Sequence, residues 1–530
     1  MREFKEKLRN NRWPLFFAIL IISVLAIRYY SNIRERNELA VKAGNWDKLM
    51  LVMKQIDENY VDSIKYDEIT ETAIPLILES LDPHSVYLPP KELMSAEEEL
   101  EGNFDGIGVQ FNVPNDTAII IQVIAGGPSE RAGVLSGDRI VKVGEKVVAG
   151  VKLDQDTLVG MLKGKSGSMV RLGLKRGSSN KLLYLDIKRD RIPVKSIDVS
   201  YMANDTLGYI KLSKFSRTSH KEFLEAIKEL KKKGMKSLIF DLRGNTGGYL
   251  DQALLLSNEF LLKDNLIVYM QGKHRKREDF HADGRGTCRN IGLKVLIDEG
   301  SASSSEIFAG AIQDNDRGVI IGRRSFGKGL VQEPIYFTDK SGIRLTVARF
   351  YTPTGRSIQK PYSKDYRNDI IERFRHGEMS VADSIKKDKS LMFKTPKGKI
   401  VYGGGGITPD IFVGIDTSGV NDFLIKSNEQ GVVFRFSSQM ADIYRERLRK
   451  IQNLESLNLF FESIGYEKMF LNFASAAKLV PTSGQWKQCK GIILTQVRAL
   501  VGRYTPMDDN AFYPIMSEID KVIQIAKKSE

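Results

Sequence analysis

Gly292-Leu-Lys-Val-Leu-Ile-Asp298, then Glu299-Gly-Ser-Ala-Ser303, then Ser304-Ser-Glu-Ile-Phe-Ala-Gly-Ala-Ile-Gln313, then Gly318-Val-Ile-Ile-Gly322 follow one another along the chain. The first and last are short apolar runs closed by turn residues, the pattern of buried strands. Between them a turn of small residues leads into a helical stretch from about Ser304 to Gln313. The same alternation extends upstream. Leu207–Leu212 and Ser237–Leu242 read as strands, and Lys221 to Lys232 reads as an amphipathic helix stopping near Gly234. Strands alternating with helices predict an α/β core with crossover connections over residues 191–415.

Outward from that core the composition changes. Residues 361–400 are densely charged and read as an insertion. Residues 416–530 read as a helical C-terminal domain, with Met440, Ile443, Tyr444, Leu448 and Ile451 on one apolar face. Residues 31–100 also read helical, through Leu49, Val52, Met53 and Ile56 and again through Ile74, Ile77 and Leu78, up to the proline turn Leu81-Asp-Pro-His-Ser85. Residues 101–190 are β-rich, with Ala118–Ile124 and Gly137–Val143 as strands. The Gly106-Ile107-Gly108-Val109 stretch and Ala132-Gly133 before Gly137-Asp138 resemble a PDZ domain. The resemblance implies capture of peptide C-termini by strand addition, with the 106–109 loop holding the terminal carboxylate.

With 530 residues, 42% hydrophobic and 28% charged, the chain is globular and holds several domains. Cys288 and Cys489 are too few for a disulfide scaffold, though one bridge is possible arithmetically. His84, His220, His274, His281 and His376 show no HExxH spacing, so no metal and no cofactor are expected. The net charge of +14 comes without a nucleic-acid motif and reads as solvated surface, with no nucleic-acid partner.

Residues 1–30 combine a basic start (Arg2, Lys5, Lys7, Arg9, Arg12) with an apolar run from Trp13 to Ile27. No small-residue cleavage pattern follows, so the segment reads as an uncleaved signal anchor. The positive-inside rule keeps the tail cytoplasmic and places the rest in the periplasm or outside, anchored at the inner membrane.

Three chemistries compete for the serines and Lys328. Gly322-x-x-x-x-Gly327-Lys328 lacks the Ser or Thr of a P-loop, since Gly329 follows, and the next stretch is strand-like. Ser325-x-x-Lys328 matches the spacing of penicillin-recognising enzymes, but glycines flank the lysine where a helix is needed. The third reading places a nucleophile in the Gly300–Ser305 turn, with helix N–H groups as oxyanion donors and Lys328 as a base neutralised by burial. Ser301, Ser303 and Ser305 all remain open on these grounds, and His84 reads as a structural hydrogen-bonding residue.

The ordered set Leu81–Ser85, Gly106–Val109, Asp241-Leu-Arg-Gly-Asn-Thr-Gly-Gly248, Gly300-Ser-Ala-Ser-Ser-Ser-Glu-Ile307, Gln313-Asp314, Phe326-Gly-Lys-Gly329-x-Val331-Gln332 and Tyr402-Gly-Gly-Gly-Gly-Ile-Thr-Pro-Asp410 resembles the carboxyl-terminal processing (tail-specific) serine proteases. The matches cover about residues 45–415. The resemblance implies Ser303 as nucleophile, Lys328 as base, Gln332 orienting the lysine, and the backbone of Gly247, Gly248 and Ser304 as oxyanion hole. It further implies nonpolar, unstructured protein tails as substrates and a resting state opened through the PDZ domain. Ser304 and Thr246 depart from the family's usual Ala and Gly or Pro. The expectation is a serine endopeptidase working by a Ser/Lys dyad and an acyl-enzyme in envelope protein processing or degradation, with an accessory adaptor as a possible partner. The alternative is a catalytically silent PDZ adaptor that binds C-termini.

Overall fold

The computed structural model describes residues 12–42, 45–113, 116–177, 179, 181–362 and 366–529. The tail expected to stay cytoplasmic, residues 1–11, lies outside the described residues. Two compact units emerge, Met1–Ile77 and Leu78–Glu530.

In the first unit, α1 (Arg12–Lys42) and α2 (Asn45–Asn59) precede α3 (Tyr66–Glu79). The Phe16–Ile33 part of α1 is long and apolar enough to cross a membrane, and none of it is buried. On α2 the expected apolar face forms, but Leu49 and Val52 stay exposed.

In the second unit, β1 (Val86–Leu88) leads through α4 (Pro90–Glu101) to the PDZ domain. There β2 (Asn103–Gly106), β3 (Val109–Asn112), β4 (Ala118–Val123), α5 (Pro128–Arg131), β5 (Arg139–Val143), β6 (Lys146–Val147), α6 (Gln155–Leu162), β7 (Met169–Lys175), β8 (Leu182–Lys188) and β9 (Asp190–Pro193) follow in order. Its sheet runs β3-β4-β5-β7-β8, with β2 and β9 pairing to close the domain. Ile120, Ile140, Leu172, Leu174 and Ile187 fill its core. β3 is the sheet's edge, which leaves one side for an added strand.

The protease core comprises β10 (Ile197–Met202), β11 (Leu207–Leu212), α7 (Ser219–Lys232), β12 (Ser237–Asp241), α8 (Leu250–Asn258), β13 (Leu266–Gln271), β14 (Glu278–His281), β15 (Gly292–Ile297), α9 (Ser304–Asp314), β16 (Val319–Gly322), β17 (Leu330–Tyr336) and β18 (Gly342–Tyr351). α10 (Asp369–Arg375), β19 (Met392–Lys394), β20 (Ile400–Tyr402) and β21 (Ile411–Phe412) complete it. The main sheet has the order β10-β11-β12-β15-β16-β21 and is parallel from β11 onward. Both faces are covered, as parallel sheets require. Side chains alternate accordingly: Leu238, Phe240, Val295 and Ile320 face one cluster, while Ile239, Leu296 and Ile321 face the other.

A second sheet runs β1-β18-β13-β14, with β17 also on β18. Its strand β1 departs from the helical reading of residues 31–100. Three residues carry too little pattern to be seen locally; they are extended because Val86–Leu88 pair with Gly342–Arg344. The charged segment 361–400 is likewise more than a solvated insertion. Arg373 and Glu378 are buried there and ion-paired, and Asp369 of the segment pairs with the buried Lys360 just before it.

The C-terminal helices α11 (Asp422–Glu429), α12 (Val432–Ile443), α13 (Arg445–Leu448), α14 (Leu454–Ile464), α15 (Tyr466–Ala476), α16 (Ser483–Gly502) and α17 (Asp509–Met516) pack around one core. α18 (Lys521–Lys528) leaves them and lays Val522, Ile523 and Ala526 on the second face of the main sheet. Cys288 and Cys489 are free, each buried in a different core.

Candidate active site

The parallel strands β12 and β15 are neighbours, so the loops leaving their carboxyl ends meet outside the sheet edge, where α/β proteins place their sites. The β12 loop is Leu242–Gly248 and the β15 loop is Asp298–Ser303. Hydrogen bonds lace them together. Ser301 Oγ donates to Leu242 O (2.8 Å), and Ala302 N–H and Ser305 Oγ donate to Asn245 O (3.0 and 2.9 Å). Asp298 Oδ1 accepts from Gly244 N–H (2.8 Å). Ser301 and Ser305 therefore spend their hydroxyls on the scaffold and are fully buried.

Ser303 is held differently. It stands at the N-cap of α9 with φ 55° and ψ −114°, a backbone region that non-glycine residues seldom adopt. Gly247 lies against it: a Cβ there would sit 2.8 Å from Ser303 Cβ and 3.0 Å from Ser304 N, and its φ is 101°. Only glycine allows that approach. The Gly247 N–H is already engaged by Asn245 Oδ1 (2.8 Å). The N–H groups of Gly248 and Ser304 meet no acceptor among the described residues. The Ser304 N–H is one of the donors that every helix start leaves over. Ser304 Oγ donates to Gly248 O (2.9 Å) and ties the glycine loop to the helix.

One carboxylate joins this serine to Lys328. Glu306 is 1% exposed, and each of its oxygens takes two donors. Oε1 accepts from Ser325 Oγ (2.5 Å) and Gly327 N–H (2.7 Å); Oε2 accepts from Ser303 N–H (2.9 Å) and Lys328 N–H (2.8 Å). Burial raises its pKa, and these four donors oppose that shift.

Lys328 lies two residues before β17, and Gln332 stands within that strand, just past the register shift between Val331 and Gln332. Lys328 Nζ donates to Gln332 Oε1 (2.8 Å). The amide's orientation follows from its other end, where Gln332 Nε2 donates to His84 O (2.6 Å). A carbonyl can only accept, so the amide must present its oxygen to the lysine. His84 O is placed by the Asp82 turn: Asp82 Oδ1 accepts from His84 N–H and Ser85 N–H (both 2.7 Å). Burial lowers the Lys328 pKa, and Arg344 adds to the effect. The His84 ring touches Tyr366 OH (2.5 Å), and burial and then Lys328 push its pKa down to about 4. No hydrogen bond joins Lys328 Nζ to Ser303 Oγ among the described residues.

The Gly106–Val109 loop sits between β2 and β3. Ile107 is buried, Gly108 has φ 74°, and the N–H groups of Ile107 and Gly108 meet no acceptor among the described residues. No group of three or more His, Cys, Asp or Glu among the described residues could hold a metal ion.

The family model of peptidase family S41 matches residues 206–367, and that of the PDZ domain matches residues 106–187. The carboxy-terminal processing protease CtpA of Bacillus subtilis (strain 168) is 35% identical over 358 residues, covering 66% of this chain and 76% of that one. The chain belongs to the carboxy-terminal processing proteases of family S41. It is a serine-type processing peptidase with a PDZ domain. A probable CtpA-like serine protease of Staphylococcus aureus (strain bovine RF122 / ET3-1) is 31% identical over 393 residues, 72% of this chain and 77% of its own. Among solved structures, a photosystem II D1 C-terminal processing protease is 25% identical, with a TM-score of 0.38 over 70% of this chain and 87% of that one.

In this S41 protease the motifs single out Ser303, Lys328 and Gln332 as candidates but not Glu306, which the structure places between the first two. A signal was present, since Ser303-x-x-Glu306 before an apolar run has the capping-box pattern. Asp82, Asn245 and Asp298 also went unassigned. Asn245 and Asp298 act through segments remote in sequence, whereas Asp82 holds its own turn through His84 and Ser85.

Proposed function

We propose that Ser303 and Lys328 form the catalytic dyad of an endopeptidase that trims protein tails. The supporting observation is Glu306, whose single carboxylate fixes the backbone N–H of both residues. Neutral Lys328 takes the Ser303 proton as Oγ attacks the scissile carbonyl. The N–H groups of Gly248 and Ser304 stabilise the oxyanion, with Gly247 allowing the close approach. The lysine returns the proton to the leaving amine, and the acyl-enzyme is hydrolysed by a water that gives its proton to the same lysine, which passes it to the departing Ser303 Oγ. Closure over substrate brings Nζ to Oγ, since such bonds often tighten only in the substrate complex.

The PDZ loop at Ile107 and Gly108 takes the terminal carboxylate, and the substrate adds to the edge of β3. Phe16–Ile33 anchors the enzyme in the inner membrane with the protease on the outer side, where it processes or degrades envelope proteins. The test is cleavage of an unfolded protein with a nonpolar C-terminus by wild type, Ser303→Ala and Lys328→Ala. Loss of cleavage in both variants is expected. Undiminished cleavage in both overturns the dyad, and absence of cleavage in wild type with tail binding intact selects the silent adaptor.

A further inference from the structure

The helices after residue 420 lie beyond the segments matched by either family model. They nevertheless touch the core at the root of the glycine loop. Arg243, two residues past β12, sends Nε and Nη2 to Asp241 (3.0 and 2.6 Å to its nearer oxygens). Its Nη1 meets Asp520, at 2.8 Å from Oδ2 and 3.1 Å from Oδ1. Both side chains of that second pair are largely buried, with 17% and 25% of their surface exposed. The Arg243 carbonyl is held as well, by Lys211 Nζ (2.9 Å). Asp520 is itself fixed, because it caps α18 by accepting from Val522 N–H and Ile523 N–H (3.0 and 3.1 Å). α18 is in turn buried against the main sheet.

The same helical region grips the PDZ domain. Asp442 accepts from Arg139 (2.8 Å), Arg445 donates to Ser136 O (2.9 Å), and Asp508 accepts from Gln122. One body therefore holds the domain that binds the tail and one end of the loop whose other end, Gly247–Gly248, lies against Ser303.

We infer that Asp520 is a positioning residue for proteolysis. It fixes the Arg243 guanidinium and, through it, the placement of the Gly248 N–H relative to Ser303. This rests on the dyad and oxyanion assignments above. Displacing that donor weakens an interaction made only in the transition state, so turnover falls while substrate binding does not.

Asp520→Asn keeps Oδ1 as the cap acceptor and turns an N–H toward Arg243 in place of Oδ2. Asp520→Ser keeps a capping oxygen and leaves Arg243 Nη1 unpaired. Expected in the full chain is a roughly tenfold loss of kcat in both variants, the scale of a small donor misplacement. KM and PDZ affinity for a tail peptide stay within twofold, the urea midpoint falls by no more than one lost buried pair allows while the chain stays folded under assay conditions, and Asp520→Glu recovers part of the rate. Wild-type kcat in both variants overturns the inference, as does a kcat loss matched by loss of folded protein. Ser303→Ala runs alongside. Retained cleavage there overturns the dyad itself, whereas a dead Ser303→Ala with a fully active Asp520→Asn overturns only the role of Asp520.

Discussion

Glu306→Gln is the most informative single change, because it keeps the shape of a buried side chain and exchanges one acceptor oxygen for a donor. The amide can turn either way. With its NH2 at the Oε2 position it faces the N–H groups of both Ser303 and Lys328. With its NH2 at the Oε1 position the Ser325 hydroxyl, already an acceptor for Ile407 N–H, can rotate to accept, which leaves the Gly327 N–H opposed and the Ser325 proton to find a new acceptor. The second orientation costs less. One buried donor without an acceptor is worth about 1–3 kcal/mol, and three bonds that lose their charge assistance fall by about 1 kcal/mol each. A neutral amide recovers part of this, since burial disfavours the ionised carboxylate. The net expectation is roughly 2–4 kcal/mol of lost stability. Ser303 keeps an acceptor without its charge, and so is held less tightly in a backbone conformation that itself costs about 1–3 kcal/mol. The rate should fall by about 10²-fold or more with KM little changed. Urea titration with an unchanged m-value reads the first quantity, and steady-state kinetics on a tail-bearing substrate reads the second. A variant with wild-type midpoint and kcat within a factor of about two would refute the argument that this carboxylate holds the site together.

Four further outcomes follow from the geometry. The kcat/KM of the wild type should rise with pH as Lys328 loses its proton, with a midpoint below the ordinary lysine value of about 10.4, because burial lowers its pKa. The stability linked to Lys328 has the same sign: present in full above the unfolded value and lost as pH falls through the folded one, as urea midpoints measured across that range would show. Gln332→Leu removes the acceptor from Lys328 Nζ and the donor from His84 O, and should cost roughly tenfold in kcat by single-turnover kinetics while tail binding stays intact. Gly247→Ala forces a Cβ within 2.9 Å of Ser303 Cβ and Ala302 O at φ 101°, and should abolish cleavage while a fluorescent tail peptide still binds the PDZ domain.

Much of the α/β core is legible because its strands are buried on both faces. Leu238–Phe240 and Val295–Ile297 are continuous apolar runs between glycines and acidic residues, and α9 follows from the small residues that start it. Elements defined by a distant partner are not legible. Val86–Leu88 is a strand only because β18 is beside it. His84 O reaches Gln332 across most of the PDZ domain and much of the core, and nothing in either local sequence announces the contact. The 361–400 segment shows why charge density misleads. Arg373 donates to Ser325 O (3.1 Å) and Arg324 O (2.6 Å), bracing the loop that carries Lys328 from outside, and composition cannot tell such buried ions from solvated ones. Cysteine count left a Cys288–Cys489 bridge arithmetically open, whereas the fold assigns the two thiols to separate cores.

The placement of α18 carries a consequence for biosynthesis. Strands β10 to β16 leave the ribosome long before residues 521–528 do, and until those arrive Val199, Leu207, Ile239, Leu296 and Ile321 remain wet on one side. The nascent chain thus carries an unfinished apolar face, open to association, until its last helix emerges.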